Sequence, residues 1–220
     1  MSNISIKQSP PPVDAFRRWT EVQRQASLEE TLQGWQEDQD VWIFGYGSLI
    51  WRPEFDFTES RLARLEQHHR ALCLWSRINR GTPEVPGLVF GLEQGGEGCG
   101  GMVFRIPAHK VRETFATVWV REMSTGAYYP KWCECRTEQG AVSALTFIIN
   151  RDAGSYVSEP HEDELISIVL RAHGIYGSCL DYVMQTAVAL RQAGICDARL
   201  ARLADRLALH QQSVNAVLKT

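Results

Sequence analysis

The sequence predicts an α+β fold, a small mixed β-barrel of about six strands with packed helices. Two observations lead there. Short apolar runs rich in β-branched and aromatic residues crowd positions 41 to 149, and the amphipathic helical runs gather after position 162. Strands first and helices last do not alternate as a doubly wound parallel sheet requires.

The elements follow in order. Ser9-Pro10-Pro11-Pro12-Val13 is stiff and poorly suited to packing. Phe16, Trp19, Leu28, Leu32 and Trp35, set between polar residues, predict a helix lying on the main body. Residues 1–40 therefore read as an N-terminal arm with an accessory helix, and residues 41–212 as a single domain. The predicted strands span 41–46, 71–76, 87–92, 102–106, 129–135 and 142–149, enough to close a small barrel. One helix at 110–121 interrupts them, and three more are predicted at 162–173, 179–193 and 197–210.

Composition narrows the function classes. A chain of 220 residues with 44% hydrophobic and 22% charged residues can bury a substantial core, which excludes disorder and fibrous repeats. Against 26 acidic residues stand 23 Lys and Arg, a net charge of -3, which speaks against a nucleic-acid partner. No apolar stretch approaches the ~20 residues of a bilayer span, and the first twelve residues hold no signal-like run, so the expectation is a cytoplasmic protein without membrane contact. Cys73, Cys99, Cys133, Cys135, Cys179 and Cys196 read as small reduced core residues. Cys133 and Cys135 share a strand face, but no second Cys or His pair stands at ligand spacing, and no metal is expected. The oligomeric state is not readable.

Three motifs dissolve in context. Gly96-Glu97-Gly98-Cys99-Gly100-Gly101 fits the dinucleotide fingerprint, yet a strand-like Met102-Val103-Phe104-Arg105-Ile106 follows where a helix is required, so the glycines predict a hairpin loop. His161-Glu162-Asp163-Glu164-Leu165 lacks the second histidine of a zincin and reads as first-turn acidic charge after Pro160. His68 and His69 are sequence neighbours whose side chains diverge.

Two places break the chain's own pattern. The apolar strand Val41-Trp42-Ile43-Phe44 runs into Gly45-Tyr46-Gly47-Ser48, then turns apolar again at Leu49-Ile50-Trp51. Glycines bracketing a tyrosine allow close backbone approach, and exposed N–H groups there can hold a carboxylate or a developing oxyanion, with Ser48 adding a hydroxyl. The second place is Phe115-Ala116-Thr117-Val118-Trp119-Val120-Arg121-Glu122. Either secondary-structure period turns Glu122 toward the apolar side, whereas Glu113 falls on the opposite helical face. A carboxylate so placed either pairs with a cation such as Arg121 or has its pKa raised toward neutrality, the tuning of an acid/base catalyst. The small-residue turn Met123-Ser124-Thr125-Gly126-Ala127 would seat it at a barrel mouth.

Phe44-Gly45-Tyr46-Gly47-Ser48-Leu49-Ile50-Trp51, Arg80-Gly81-Thr82-Pro83 and Arg121-Glu122 with Thr125-Gly126-Ala127-Tyr128 together resemble the ChaC family of γ-glutamylcyclotransferases, in order and without large gaps. The resemblance implies the barrel fold and a reaction on glutathione that releases 5-oxoproline and Cys-Gly without metal or organic cofactor. It implies that Gly45, Tyr46, Gly47, Ser48, Leu49 and Ile50 bind the γ-glutamyl group and that Glu122 is the catalytic acid/base. Gly177-Ser178-Cys179-Leu180-Asp181-Tyr182 resembles a family segment in which Asn usually occupies the place of Cys179. Tyr156 and Tyr182 stay outside the expected site, since buried tyrosines commonly have satisfied hydroxyls. The alternatives are a cyclotransferase for other γ-glutamyl amines or amino acids, and a non-catalytic sensor of such compounds.

Overall fold

The computed structural model describes Pro10, Pro12 and residues 17–217, with side chains to residue 212. Of the opening proline-rich stretch only two exposed prolines are included, and Phe16 lies outside the described residues. The chain forms two compact units: one holds Pro11–Ala71 and Gly91–Tyr156, the other Leu72–Phe90 and the chain from Val157 onward.

The first unit contains the barrel. Its strands are β1 (Val41–Gly45), β2 (Glu59–Leu65), β5 (Cys99–Ile106), β6 (Tyr128–Thr137) and β7 (Gly140–Ile149), closed in the order β1-β5-β2-β6-β7. All pairings are antiparallel except β1 with β7, where Trp42 faces Ala144 and Ile43 faces Leu145. Ile43, Phe44, Val103, Ile106, Cys135, Leu145 and Phe147 are fully or almost fully buried, as β-branched and aromatic strand residues should be. The α+β fold class stands, with five barrel strands. The segments predicted at 71–76 and 87–92 belong instead to β3 (His68–Ser76) and β4 (Gly87–Gln94), a separate two-stranded sheet. The barrel strand the sequence did not announce is β2. Its Glu-Ser-Arg-Leu-Ala-Arg-Leu buries only Ala63 and Leu65, and pairing with β5 along its whole length supplies what propensity lacks.

Two helices belong to this unit. α1 (Glu21–Thr31) opens on a capping box in which Thr20 accepts from the Gln23 N–H and the Gln23 side chain accepts from the Thr20 N–H. It is shorter than the sequence suggested: Trp19 precedes it and Trp35 follows it. Leu28 and Leu32 are buried, and the Trp132 indole N–H on β6 donates to the Thr31 carbonyl at 3.0 Å. α2 (Val111–Glu122) buries Phe115, Val118 and Trp119. Phe115 stacks on Trp119, which meets Phe147 edge-on at 5.5 Å, fixing the helix against β7.

Gly95 to Gly98 form a loop with positive φ at all three glycines, and a strand follows, so the fingerprint reading is excluded. The predicted hairpin is not formed, because the strands the loop joins lie in different sheets.

The second unit holds α3 (Glu162–Arg171), the two-residue strands β8 (His173–Gly174) and β9 (Gly177–Ser178), α4 (Cys179–Gln192) and α5 (Ala198–Val217). Leu165, Val169, Val183, Leu190 and Leu207 form its apolar interior. The acidic first turn of α3 meets Arg206 of α5, which pairs with Glu162 and Asp163. Arg80 is buried, donates to the Tyr176 carbonyl at 2.6 Å and lies over the Tyr182 ring. All six cysteines are free, but only four are buried: Cys133 is half-buried and Cys196 exposed, so these two are not core residues. No helix among the described residues is long and apolar enough to cross a membrane.

Candidate active site

Strand direction sets the geometry. β1 runs parallel to β7 and β7 antiparallel to β6, so the end of β1 and the start of β6 emerge at the same rim of the barrel. The loop 45–50 leaves from the first, and the turn after Glu122 enters the second. The two segments singled out in the sequence therefore share one rim.

In the loop, Gly45 stays close to its neighbours: a Cβ there would stand 2.9 Å from Leu49 Cβ and 3.3 Å from the Phe104 ring. Residues 48–50 form a single 3-10 turn in which the Ile50 N–H donates to the Gly47 carbonyl. As at any helical start, the N–H groups of Ser48 and Leu49 fall outside the turn's own bonding. Leu49 is buried and Ile50 half-buried. Tyr46 is committed elsewhere, its hydroxyl donating to the Phe147 carbonyl at 2.8 Å. Of Tyr46, then, the backbone and not the ring faces the question of ligand binding. Its carbonyl accepts from Arg70 Nε at 2.5 Å, while Arg70 Nη2 donates to the Gly100 carbonyl at 2.6 Å. This buried guanidinium ties the loop to β5, a role no local sequence signal marks, because its partners lie 24 and 30 residues away.

Glu122 is the last residue of α2, on the face of Phe115, Val118 and Trp119 as its spacing predicted, with 17% of its side chain exposed. Burial raises its pKa above the ordinary carboxylate value; Arg121 opposes the rise and the Glu54 carboxylate adds to it. Both outcomes foreseen for this residue thus coexist, since Arg121 Nε also lies 3.1 Å from Glu122 Oε1. Glu113 is on the other face, largely exposed and paired with Lys110. Glu93, also buried, is bonded by Arg151 and is no free base.

Arg121 joins the two segments. Besides Glu122, its guanidinium donates from Nη2 to Ser48 Oγ at 2.7 Å, and from Nη1 to the Arg52 carbonyl at 2.6 Å and to Glu54 at 3.0 Å. Ser48 accepts this bond with its oxygen, so its own proton can be given to a third group. The chemistry available is a raised carboxylate at 3.1 Å and a hydroxyl at 2.7 Å from one cation, beside a turn whose first N–H groups lie outside its own bonding. Among the described residues no group of three or more His, Cys, Asp and Glu could hold a metal ion.

The second unit explains Cys179 and Tyr182. Cys179 Sγ donates to the Leu88 carbonyl at 3.1 Å and accepts from the Leu88 N–H at 3.4 Å, satisfying both backbone groups of one β4 residue. An Asn side chain has the same donor-plus-acceptor capacity. The Tyr182 hydroxyl accepts from the Phe90 N–H at 3.1 Å. Tyr156 closes a backbone turn, its N–H donating to the Ala153 carbonyl.

A family model described as ChaC-like protein matches residues 41–209. The chain is 33% identical over 198 residues to a glutathione-specific gamma-glutamylcyclotransferase of Escherichia coli K12, covering 90% of this chain and 85% of that protein. It is 27% identical over 202 residues to glutathione-specific gamma-glutamylcyclotransferase 1 of mouse, covering 88% and 86%. Among solved structures, a yeast gamma-glutamylcyclotransferase specific to glutathione superposes with a TM-score of 0.72 at 22% identity, covering 77% of this chain and 96% of that one, and so shows the same fold. A match running from the first barrel strand into the last helix takes in far more than half the sequence, and by it the chain belongs to the family of ChaC-like proteins.

Proposed function

We propose that this protein is a glutathione-specific γ-glutamylcyclotransferase, with residues 41–212 working as one cyclotransferase domain in the cytoplasm. The names of the E. coli and mouse relatives support the substrate. The observation that carries the chemistry is the single Arg121 guanidinium shared by Ser48 in the loop and Glu122 on α2.

In the reaction the α-amine of the γ-glutamyl group attacks the γ-carbonyl carbon. A five-membered lactam forms, the bond to the cysteinyl nitrogen breaks, and 5-oxoproline and Cys-Gly leave. The substrate brings its own nucleophile, but an α-amine of pKa about 8 is mostly protonated at neutral pH and needs a base. Glu122 takes that proton and returns it to the departing nitrogen, while the second proton, shed by the attacking nitrogen as the lactam forms, passes to solvent. Its raised pKa narrows the gap to the amine, which favours transfer in both directions. Gly45, Tyr46, Gly47, Ser48, Leu49 and Ile50 hold the glutamyl chain folded, contributing backbone N–H groups and the Ser48 hydroxyl to the oxyanion or the substrate carboxylate. Orientation of this kind is worth effective molarities of ~10⁵ M or more.

The test is incubation of the purified chain with reduced glutathione, following both products, with Glu122→Gln alongside. Equal release of 5-oxoproline and Cys-Gly is expected, and a loss of kcat of roughly 10²- to 10⁴-fold in the variant with binding retained. Near-normal turnover by Glu122→Gln would remove Glu122 from its role. Bound but unconverted glutathione would move the substrate to another γ-glutamyl compound.

A further inference from the structure

The segment ahead of the family match reaches the rim where Glu122 stands. The Trp19 backbone N–H donates to the Ser124 carbonyl at 2.9 Å, two residues beyond Glu122. The Trp19 indole lies over Gly126 so closely that a Cβ there would be 2.4 Å from its Nε1 and 2.8 Å from its Cε2. Gly126 has φ +66°, so glycine is demanded both by the backbone and by this cover. From the barrel side, Asn150 at the end of β7 donates its side-chain amide to the Gly126 carbonyl at 3.0 Å and its N–H to the Ala127 carbonyl at 2.8 Å. The turn is thus held between the arm and the barrel.

The arm is itself anchored. Arg24 donates to the Trp19 carbonyl at 2.8 Å, the capping box fixes Thr20, and Trp132 holds the far end of α1 at Thr31. This matters because Glu122 is the final residue of α2, where few helical bonds remain to hold the backbone. The last is the Met123 N–H to the Trp119 carbonyl. Beyond it the direction of the chain depends on a turn containing a glycine.

We infer that Trp19 is a positioning residue of the proposed active site: by clamping the turn 124–126 against the barrel rim, it fixes the last turn of α2 and the direction of the Glu122 carboxylate. The inference rests on the acid/base role proposed for Glu122. The charged groups that face this carboxylate are Arg121 on its own helix and Glu54 from the segment after the 3-10 turn.

The experiment attacks the contact from both sides in the full-length chain, with Trp19→Ala and Gly126→Ala, and uses Trp19→Phe as the conservative variant. For the first two, kcat on glutathione should fall roughly 10- to 100-fold, the cost of a displacement near 1 Å, with KM within about twofold. Both Trp19 variants keep the backbone donor to Ser124, but Trp19→Phe also keeps a flat ring over Gly126 and should restore most of the loss. Alongside, the Glu122 carboxyl is titrated by NMR in the wild-type chain and in each variant. Loosening of the turn admits water, so the Glu122 pKa should fall in the two disruptive variants and stay in place in Trp19→Phe. Wild-type kcat in Trp19→Ala and Gly126→Ala, or a loss that merely tracks the folded fraction while the Glu122 titration is unmoved, overturns the inference. If the wild-type chain does not convert glutathione, the functional reading fails, and the titration alone decides the clamp: an unmoved Glu122 pKa in both disruptive variants rejects it.

Discussion

Glu122 carries opposing influences whose removal gives readable changes. Desolvation raises its pKa, and Arg121 limits the rise. Arg121→Met should therefore move the acid limb of the kcat profile to higher pH and, by releasing Ser48, raise KM as well. An acid limb that stays in place would show that the cation does not govern the carboxylate. The same shift links to folding. Between the ordinary carboxylate value and the raised native one, the folded chain binds the proton more tightly than the unfolded chain, so stability falls as pH rises through that window. Glu122→Gln, which cannot ionise, should melt above the wild type at pH 8 and with it near pH 4; equal melting at both would mean the native carboxyl is not shifted. The thiols are different. Burial pushes Cys135 up to about 12 and Cys179 up to about 11, so both are protonated at neutral pH and serve as packing and hydrogen-bonding groups.

Among the elements, the β1–β5 pair bears most directly on the site, because the loop hangs from its end. Gly101 of β5 has room for no side chain: a Cβ would meet the Gly45 carbonyl oxygen at 2.4 Å and the Phe44 ring at 2.7 Å. Gly101→Ala should part the two strands at the rim, destabilising the chain by about 1–3 kcal/mol and raising KM through the displaced loop. A thermal melt and KM indistinguishable from wild type would refute that. How far the sequence announced these elements follows from where their information resides. β1 and β7 were readable as continuous apolar runs and α2 from its helical spacing, and that spacing exposed Glu122 as the residue out of keeping. β2 was not readable, since its place is fixed by β5 and not by its own side chains. Arg70 and Trp19 were missed as site-forming residues for a related reason. Each acts on a backbone carbonyl of a distant segment, a relation that leaves no trace in local spacing.

At the scale of the molecule, the barrel unit combines strands far apart in sequence, with the pairing of β1 and β7 as its closure. Native-state hydrogen exchange should find the slowest amides in β1, β5 and β7, where Ile43, Val103, Ile106 and Leu145 are fully buried. Faster exchange there than in α1 would argue that the barrel is not the stable heart of its unit. The closure has a further consequence during biosynthesis. Trp42 and Ile43 meet Ala144 and Leu145, so a nascent chain carries one edge of β1 without its partner for some hundred residues of elongation. At about 5–20 residues per second, that is an interval of roughly 5–20 seconds in which an apolar strand edge is open to aggregation or to a chaperone. The rim that carries the loop 45–50 and the turn after Glu122 cannot close on the ribosome before β7 has emerged, so a truncated translation product ending short of that strand would lack the proposed site and keep an open strand edge.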